Sequence, residues 1–306
     1  MIDVYVPTYK RKTFPALNFL NDKLIRLNLC VRSEEDDAGF YDELKRIDRI
    51  NIIRLGYGLT DIGDTRQSIL QYCIDNDIDF CPMFDDSVIE LCNVSEYGIN
   101  KPSGMIAKLI DEIKQLDIAD EVALGGFVTR RAYSTWDGTT GNFREFNYPQ
   151  YEECFFADFP SQAVILNVKV LKQHGIQYHK IDEYGLEDCV FVADCLREGL
   201  VFYFNPSFRK DALAANAVKE GGNHTVHNSK EKVRQKYNVA QMKTYERYKD
   251  MMGIIAEARY RGYLEGEVFF VGFNWNYYRE VLVFNRKMNQ DIIDAHLSYE
   301  AYKNKI

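Results

Sequence analysis

Ile78-Asp79-Phe80-Cys81-Pro82-Met83-Phe84-Asp85-Asp86-Ser87-Val88 is the stretch from which the rest of the chain can be ordered. An apolar run of the kind that forms a strand inside a sheet stops on two adjacent acids, and apolar residues resume at Val88-Ile89. Adjacent carboxylates at the end of a buried strand repel one another and resist desolvation, so they need a compensating cation or strong hydrogen-bond donors. A hard divalent ion with oxygen ligands, sharing its shell with a diphosphate, supplies such compensation. The same residues also fit a solvated Asp-Asp turn, because acids favour turns.

Upstream of this strand, segments of strand character alternate with segments of helical spacing. Val4-Tyr5-Val6 leads into the loop Pro7-Thr8-Tyr9-Lys10-Arg11, and helical spacing then runs over residues 14–27. Leu27-Asn28-Leu29-Cys30-Val31 ends on Arg32 and an acidic cluster at 34–37, ahead of a helix predicted around 40–47. Ile50-Asn51-Ile52-Ile53-Arg54-Leu55 leads through Gly56-Tyr57-Gly58-Leu59 to Gly63-Asp64-Thr65-Arg66, and a helix is predicted over 67–76. This alternation predicts an α/β fold, a Rossmann-like and mostly parallel sheet flanked by helices, with ligands at the C-terminal strand ends. Thr8 and Arg11, Arg32, Asp64 and Arg66, and Asp85 and Asp86 then sit on four consecutive loops facing one crevice. Arginines for phosphate or a base edge, with carboxylates for a metal, suit a nucleoside diphosphate. Each arginine taken singly also fits a surface ion pair.

Downstream, Met105, Ile106, Leu109, Ile110, Ile113 and Leu116 give an amphipathic helix, and Val122-Ala123-Leu124-Gly125-Gly126-Phe127-Val128 a strand followed by Thr129-Arg130-Arg131. A further strand is predicted over 162–167. Tyr184-Gly185-Leu186-Glu187-Asp188-Cys189-Val190-Phe191 opens another helix, and a pair of acids there is also explained by helix capping alone. A strand over 200–205 precedes Gly221-Gly222-Asn223-His224-Thr225-Val226-His227, which holds two of the five histidines. Residues 229–261 carry nine basic residues against four acidic ones, with tyrosines at 237, 245, 248 and 260, and an aromatic-rich segment follows. This last part reads as a helical extension packed on the core. Cations interleaved with aromatics also suit phosphates and extruded bases.

Composition narrows the class. At 306 residues and 46% hydrophobic content the chain buries a full core, and its net charge of −8 gives no overall attraction to nucleic acid or membrane. Seven cysteines without a CxxC pair point to reduced thiols rather than a disulfide framework or a zinc site. No stretch approaches 18 apolar residues, and Ile2 opens directly onto strand character, so the expectation is a soluble, cytoplasmic protein without a signal peptide or membrane partner. The oligomeric state is left open.

The loop Val6-Pro7-Thr8-Tyr9-Lys10-Arg11, the helix opening Gly63-Asp64-Thr65-Arg66 and the sequence Phe84-Asp85-Asp86-Ser87 together resemble the nucleotide-sugar half of a GT-A glycosyltransferase. The resemblance covers about residues 1–227. It implies a GT-A-like nucleotide-sugar-binding and catalytic domain over 1–228, with a helical, aromatic-rich extension over 229–306. It implies that Pro7, Thr8, Tyr9, Arg11, Arg32, Asp64, Arg66 and Asp85 contact the nucleotide-sugar. Asp85 and Asp86 would hold Mn²⁺ or Mg²⁺, although Asp-Asp-Ser departs from the Asp-x-Asp of many members and leaves open which acid is the ligand. His224 is expected to complete the metal shell, with His227 as the alternative, and Asp188 is expected as general base with Glu187 beside it. An aspartate acting as base on an acceptor hydroxyl that attacks in line implies inversion at the anomeric carbon. The resemblance extends to the bacteriophage glycosyltransferases that modify hydroxymethylated pyrimidines in DNA, associated with TET-type oxygenases, with Arg130 and Arg131 as acceptor contacts. These readings predict transfer from a nucleotide-sugar, a UDP-sugar first, to an acceptor hydroxyl. Glycan transfer, nucleotidyl transfer and noncatalytic nucleic-acid binding are the alternatives.

Overall fold

A short strand carries the pivot of the sheet. The computed structural model describes residues 1–11, 14–95, 98–129, 135–137, 142–144, 155, 159–212, 230–257 and 268–273. Its elements in chain order are β1 (Ile2–Pro7), β2 (Ile25–Val31), α1 (Ser33–Asp37), β3 (Ile50–Arg54), α2 (Ile62–Asp75), β4 (Phe80–Phe84), β5 (Val88–Ser95), β6 (Gly98–Asn100), α3 (Met105–Lys114) and β7 (Val122–Thr129). Then follow β8 (Thr135–Asp137), β9 (Asn142–Arg144), β10 (Ala163–Asn167), α4 (Val168–His174), α5 (Ile181–Tyr184), α6 (Glu187–Arg197), β11 (Val201–Ala212), α7 (Lys230–Tyr248), β12 (Met252–Glu257) and β13 (Val268–Phe273). Nine strands form one sheet in the order β3-β2-β1-β4-β10-β7-β11-β5-β6. β1 runs parallel to β2 and β4, β2 to β3, and β7 to β11, while β10 is antiparallel to both its neighbours. β5 is likewise antiparallel to β11 and β6. The expected α/β fold with flanking helices is therefore present, with a sheet that is mixed rather than mostly parallel: the β3-β2-β1-β4 half is parallel, and the antiparallel pairings of β10 and β5 interrupt the rest.

The strands of this sheet are apolar because they are covered. Every residue of β10 is buried, and so are four of the five in β4. Phe19, Phe84, Phe127 and Phe208 form a run of ring contacts with centroids 5.4, 5.8 and 6.3 Å apart, which fixes the packing beneath the centre of the sheet. α2 packs against β1, α4 and α6, while α3 packs against β7 and β11.

Three local expectations shift. Helical spacing over 14–27 becomes a 3-10 segment at Pro15–Asn21, and β2 starts at Ile25 rather than Leu27. The strand extends backward because Arg26 lies opposite Asp3 in the parallel register and binds its carboxylate through two nitrogens. The helix predicted at 40–47 is replaced by α1 at the acidic cluster. Glu34, Glu35 and Asp36 fill its first turn, where the helix dipole favours negative charge, and Gly39 at φ +67° ends it. α2 begins at Ile62 instead of 67, because the Asp61 carboxylate accepts the Asp64 amide at 3.0 Å and caps it. The C-terminal part contains the long helix α7 and, after it, the antiparallel pair β12-β13. Among the described residues no helix is long and apolar enough to cross a membrane.

α7 reaches the core at one glycine. Gly185 joins α5 to α6 at φ +115° and ψ −155°, a region open in practice only to glycine. A Cβ there would lie 2.2 Å from Thr244 Oγ1 and 2.8 Å from the Ala240 carbonyl oxygen on α7. Gly175, at φ +67°, has nothing within 4 Å of such a Cβ. Gly175→Ala is expected to cost about 1–2 kcal/mol through backbone conformation alone. Gly185→Ala adds a backbone clash and is expected to exceed about 3 kcal/mol in urea unfolding. Equal losses in the two variants would contradict the close approach of α7.

Candidate functional site

β4 delivers the two acids and a turn holds them. The Asp85 amide donates to the Gln162 carbonyl at 2.6 Å, and the Val88 amide donates back to the Asp85 carbonyl at 3.1 Å. The Asp85 side chain is 27% exposed and that of Asp86 11%, so neither sits in a fully solvated turn. Each has its own arginine. Arg11 Nε donates to Asp86 Oδ2 at 2.8 Å, and the Thr8 hydroxyl donates to the same oxygen at 3.3 Å. Arg66 Nη2 donates to Asp85 Oδ1 at 2.8 Å, while its Nη1 donates to Glu187 Oε1 at 3.0 Å. Burial pushes the Asp86 carboxyl above its ordinary range; Arg11 opposes this and Asp85 adds to it. Burial works against the Arg66 charge too, yet Asp85 and Glu187 hold its guanidinium above the usual value. Burial, and next the Asp188 charge, push Glu187 up to about 7 against the pull of Arg66.

The arginine is placed by a clamp between α2 and the segment before α6. Asp61 Oδ2 accepts the Ile181 amide at 2.8 Å, and Gln67 Oε1 accepts the Tyr178 amide at 2.8 Å. Gly63 permits this, because a Cβ there would lie 2.0 Å from the His179 carbonyl oxygen. The Tyr178 ring stacks on Phe191 with centroids 4.2 Å apart and lies 5.8 Å from the Arg66 guanidinium. The strand-one loop is pinned in the same manner. The Lys10 amide donates to Glu35 Oε2 at 3.1 Å and to the Tyr41 hydroxyl at 2.9 Å, which itself donates to Glu35 Oε2 at 2.6 Å.

Thr8, Arg11, Arg66, Asp85, Asp86 and Glu187 are thus brought together. Pro7 closes β1 in a buried position, and Asp188 follows Glu187 in the first turn of α6, where its carboxylate accepts the Cys189 amide at 2.8 Å. Tyr9 and Arg32 stack at 4.3 Å at the adjoining strand ends. Asp64 is placed differently: it accepts from the Thr60 amide at 3.0 Å and hydroxyl at 2.8 Å, and lies 3.9 Å from Lys180. Arg130, Arg131, His224 and His227 lie outside the described residues. Asp61, Gln67 and Tyr178 were not foreseen. Of these only Asp61 left a trace in the sequence, an Asp three residues before Asp64 at a helix start.

A divalent cation fits this pair of acids in part. Asp85 Oδ2 and Asp86 Oδ1 accept no hydrogen bond from the described residues, which leaves one oxygen on each for a hard cation. The described residues hold no group of three or more ligating side chains, so the rest of such a shell would come from phosphate oxygens, water or residues outside those described.

The chain matches no protein-family model and no curated protein. Among solved structures it is similar to S. aureus TarS 1-349 in complex with UDP, at 13% identity over 79% of this chain and 65% of that one, TM-score 0.42. It is also similar to the mannosyltransferase PcManGT from Pyrobaculum calidifontis in complex with GDP-Man and Mn²⁺, at 8% identity over 81% of this chain and 64% of that one, TM-score 0.47. A third is 4-diphosphocytidyl-2C-methyl-D-erythritol synthase, at 12% identity over 70% of this chain and 94% of that one, TM-score 0.41. The chain therefore spans less than two thirds of the length of the first two. What the crevice does is decided by its own residues.

The raised Glu187 value has a measurable consequence. Between its ordinary value of 4.5 and about 7 the folded protein keeps a proton that the unfolded chain has lost, so stability falls as pH rises through that window. Glu187→Gln removes this loss. Relative to the variant, the wild type is expected to lose up to about 3 kcal/mol of unfolding free energy between pH 4.5 and 7. Parallel stability curves for the two proteins would show that Glu187 is not held in this environment.

Proposed function

We propose that the chain is a metal-dependent glycosyltransferase that moves a sugar from a nucleotide-sugar to an acceptor hydroxyl. The observation that carries this reading is the Arg66 bridge, which joins the Asp85-Asp86 turn to the acid-bearing start of α6 at the C-terminal ends of parallel strands. It gives one crevice two ends: arginines with an Asp pair for a diphosphate, and an acid pair for the acceptor.

In this reading Pro7, Thr8, Tyr9 and Arg32 border the nucleoside, and the Tyr9–Arg32 stack offers a flat surface for a base. Arg11 and Arg66 face the phosphates, and Asp64 supports the loop ahead of α2. Asp85 and Asp86 hold Mn²⁺ or Mg²⁺, and His224 adds a ligand from outside the described residues. When bound, the ion neutralises charge on the departing diphosphate. Asp188 takes the proton from the acceptor hydroxyl as its oxygen forms a bond to the anomeric carbon. The bond from that carbon to the diphosphate breaks, and the diphosphate leaves with the electron pair. The configuration at the anomeric carbon inverts. Residues 1–228 form the catalytic unit and 229–306 its extension.

For the donor we take a UDP-sugar, and for the acceptor the hydroxyl of a 5-hydroxymethylated pyrimidine in DNA. The acceptor choice is supported by the nine basic residues against four acidic over 229–261 and by Arg130-Arg131. A phage origin and action in the host cytoplasm go with it.

Product analysis tests the reading. The protein is incubated with Mn²⁺, a panel of sugar nucleotides, and hydroxymethylated DNA or glycan acceptors. The expected products are a free nucleoside diphosphate and a phosphate-free glycosylated DNA of inverted anomeric configuration. Asp188→Asn should lower kcat at least about 10²-fold with nucleotide affinity retained. Phosphate carried onto the acceptor would instead mean nucleotidyl transfer. A glycan accepting where DNA does not would move the acceptor assignment, and retention of configuration would remove Asp188 from its role.

A further inference from the structure

We infer that Thr244, on α7, is a positioning residue for the Glu187-Asp188 pair, holding the start of α6 in place through the amide of Leu186. The inference rests on the glycosyltransferase reading and adds to it a part for the C-terminal helix.

The joint is made of few atoms. Leu186 is the residue that caps α6, and its apolar side chain offers no capping bond to the helix. Its amide donates instead across to α7, to Thr244 Oγ1 at 2.9 Å. The same hydroxyl donates to the Ala240 carbonyl at 2.8 Å, so both of its roles are used and its orientation is fixed. Thr244 is fully buried, which shields its hydroxyl from solvent. On the other side of Leu186 stands Gly185, with the backbone freedom of glycine and bare contact with α7. The peptide ahead of α6 is therefore a hinge whose angle the Thr244 hydroxyl sets. Glu187 and Asp188 are the next two residues, and Glu187 must meet Arg66 at 3.0 Å.

The rest of the contact keeps α7 docked through apolar packing and bonds further along α6, and it makes no hydrogen bond to the peptide ahead of Glu187 among the described residues. Val190, Ala193 and Tyr248 form a small buried cluster, and the Tyr248 hydroxyl donates to Asp194 at 2.7 Å, two turns along the helix. The Arg247 guanidinium lies 4.3 Å from the Tyr184 ring. Removing the Thr244 hydroxyl should thus leave α7 in place while releasing the hinge. A rotation that moves a reacting carboxylate by about 1 Å costs up to about a hundredfold in rate.

The test compares wild type with Thr244→Val, which keeps the shape and loses the hydroxyl, and Thr244→Ser, which keeps the hydroxyl. Thr244→Cys, similar in size and a poor hydrogen-bond partner, replaces the valine variant if that does not fold. Three quantities are read: hydrogen exchange at the Leu186 amide, UDP affinity in Mn²⁺, and kcat and KM for UDP-glucose, or for whichever sugar nucleotide the wild type turns over. Thr244→Val is expected to speed exchange at Leu186, keep UDP affinity and donor KM within about twofold, and lower kcat about tenfold to a hundredfold. Thr244→Ser should recover most of the rate. Faster exchange with unchanged kcat overturns the inference, as does an exchange rate that the substitution leaves alone. A wild type that neither binds UDP nor turns over any sugar nucleotide overturns the transferase reading itself, and the inference with it.

Discussion

The buried Arg66 guanidinium, shared between Asp85 and Glu187, is the interaction on which the crevice depends. Its partners lie 19 and 121 residues away along the chain, on a strand end and a helix start. A buried ion pair contributes little net stability when complete, because desolvation offsets the attraction. Breaking it is different. Loss of Arg66 would leave Asp85 without its partner beside Asp86 and drive the buried Glu187 further toward its protonated form, a change in the range of about 3–5 kcal/mol for a broken buried pair. Arg66 therefore enforces a geometry more than it adds stability. It makes the two ends of the crevice one unit, so that a ligand altering the charge at Asp85 is felt at Glu187.

The surrounding contacts serve that geometry. Asp61 spends one oxygen on its own helix and the other on Ile181, which ties the start of α2 to the segment leading into α6. Gly63 lets the backbones meet, and Gly185 does the same for α6 and α7. Arg11 is presented to Asp86 by a loop whose Lys10 amide is held by Glu35 and Tyr41. Four separate regions of the chain thus fix about half a dozen polar side chains, with rigid elements behind each. This is the arrangement that precise placement of charge requires.

The sequence made the site legible where local signals were strong. An apolar run stopping on Asp85-Asp86 could only be a strand end, and the alternation ahead of it could only be a covered, largely parallel sheet. The helix at 105–114, the strands at 122–129 and 163–167 and the helix at 187–197 follow from plain periodicity, whereas α4 and α5 do not, and β11 runs on to Ala212 beyond the strand expected at 200–205. The connections at 14–27 and 40–47 mislead: Phe14, Ala16 and Phe19 pack in the core from a 3-10 segment, while Phe40 and Ile47 stay exposed and the helix starts at the acids 34–37 instead. The long-range bonds were beyond reach. No local pattern reveals that Asp61 meets Ile181, that Thr244 meets Leu186, or that the charge of each aspartate is met by its own arginine. The acid pair called for a compensating cation or strong hydrogen-bond donors, and the sequence does not say which. The fold provides two guanidinium groups first and leaves one oxygen of each aspartate for a cation.

That division of the two carboxylates, one oxygen to an arginine and one to a metal shared with a diphosphate, is tested most directly by calorimetry. UDP is titrated into the wild type and Asp86→Ala, each with and without Mn²⁺, and CDP, GDP and ADP are run alongside. Binding that requires both Mn²⁺ and Asp86 is the predicted result. Binding of another nucleoside diphosphate under the same requirement would change the base and keep the site. Failure of every nucleoside diphosphate to bind, or binding indifferent to Mn²⁺ and to Asp86, would contradict it.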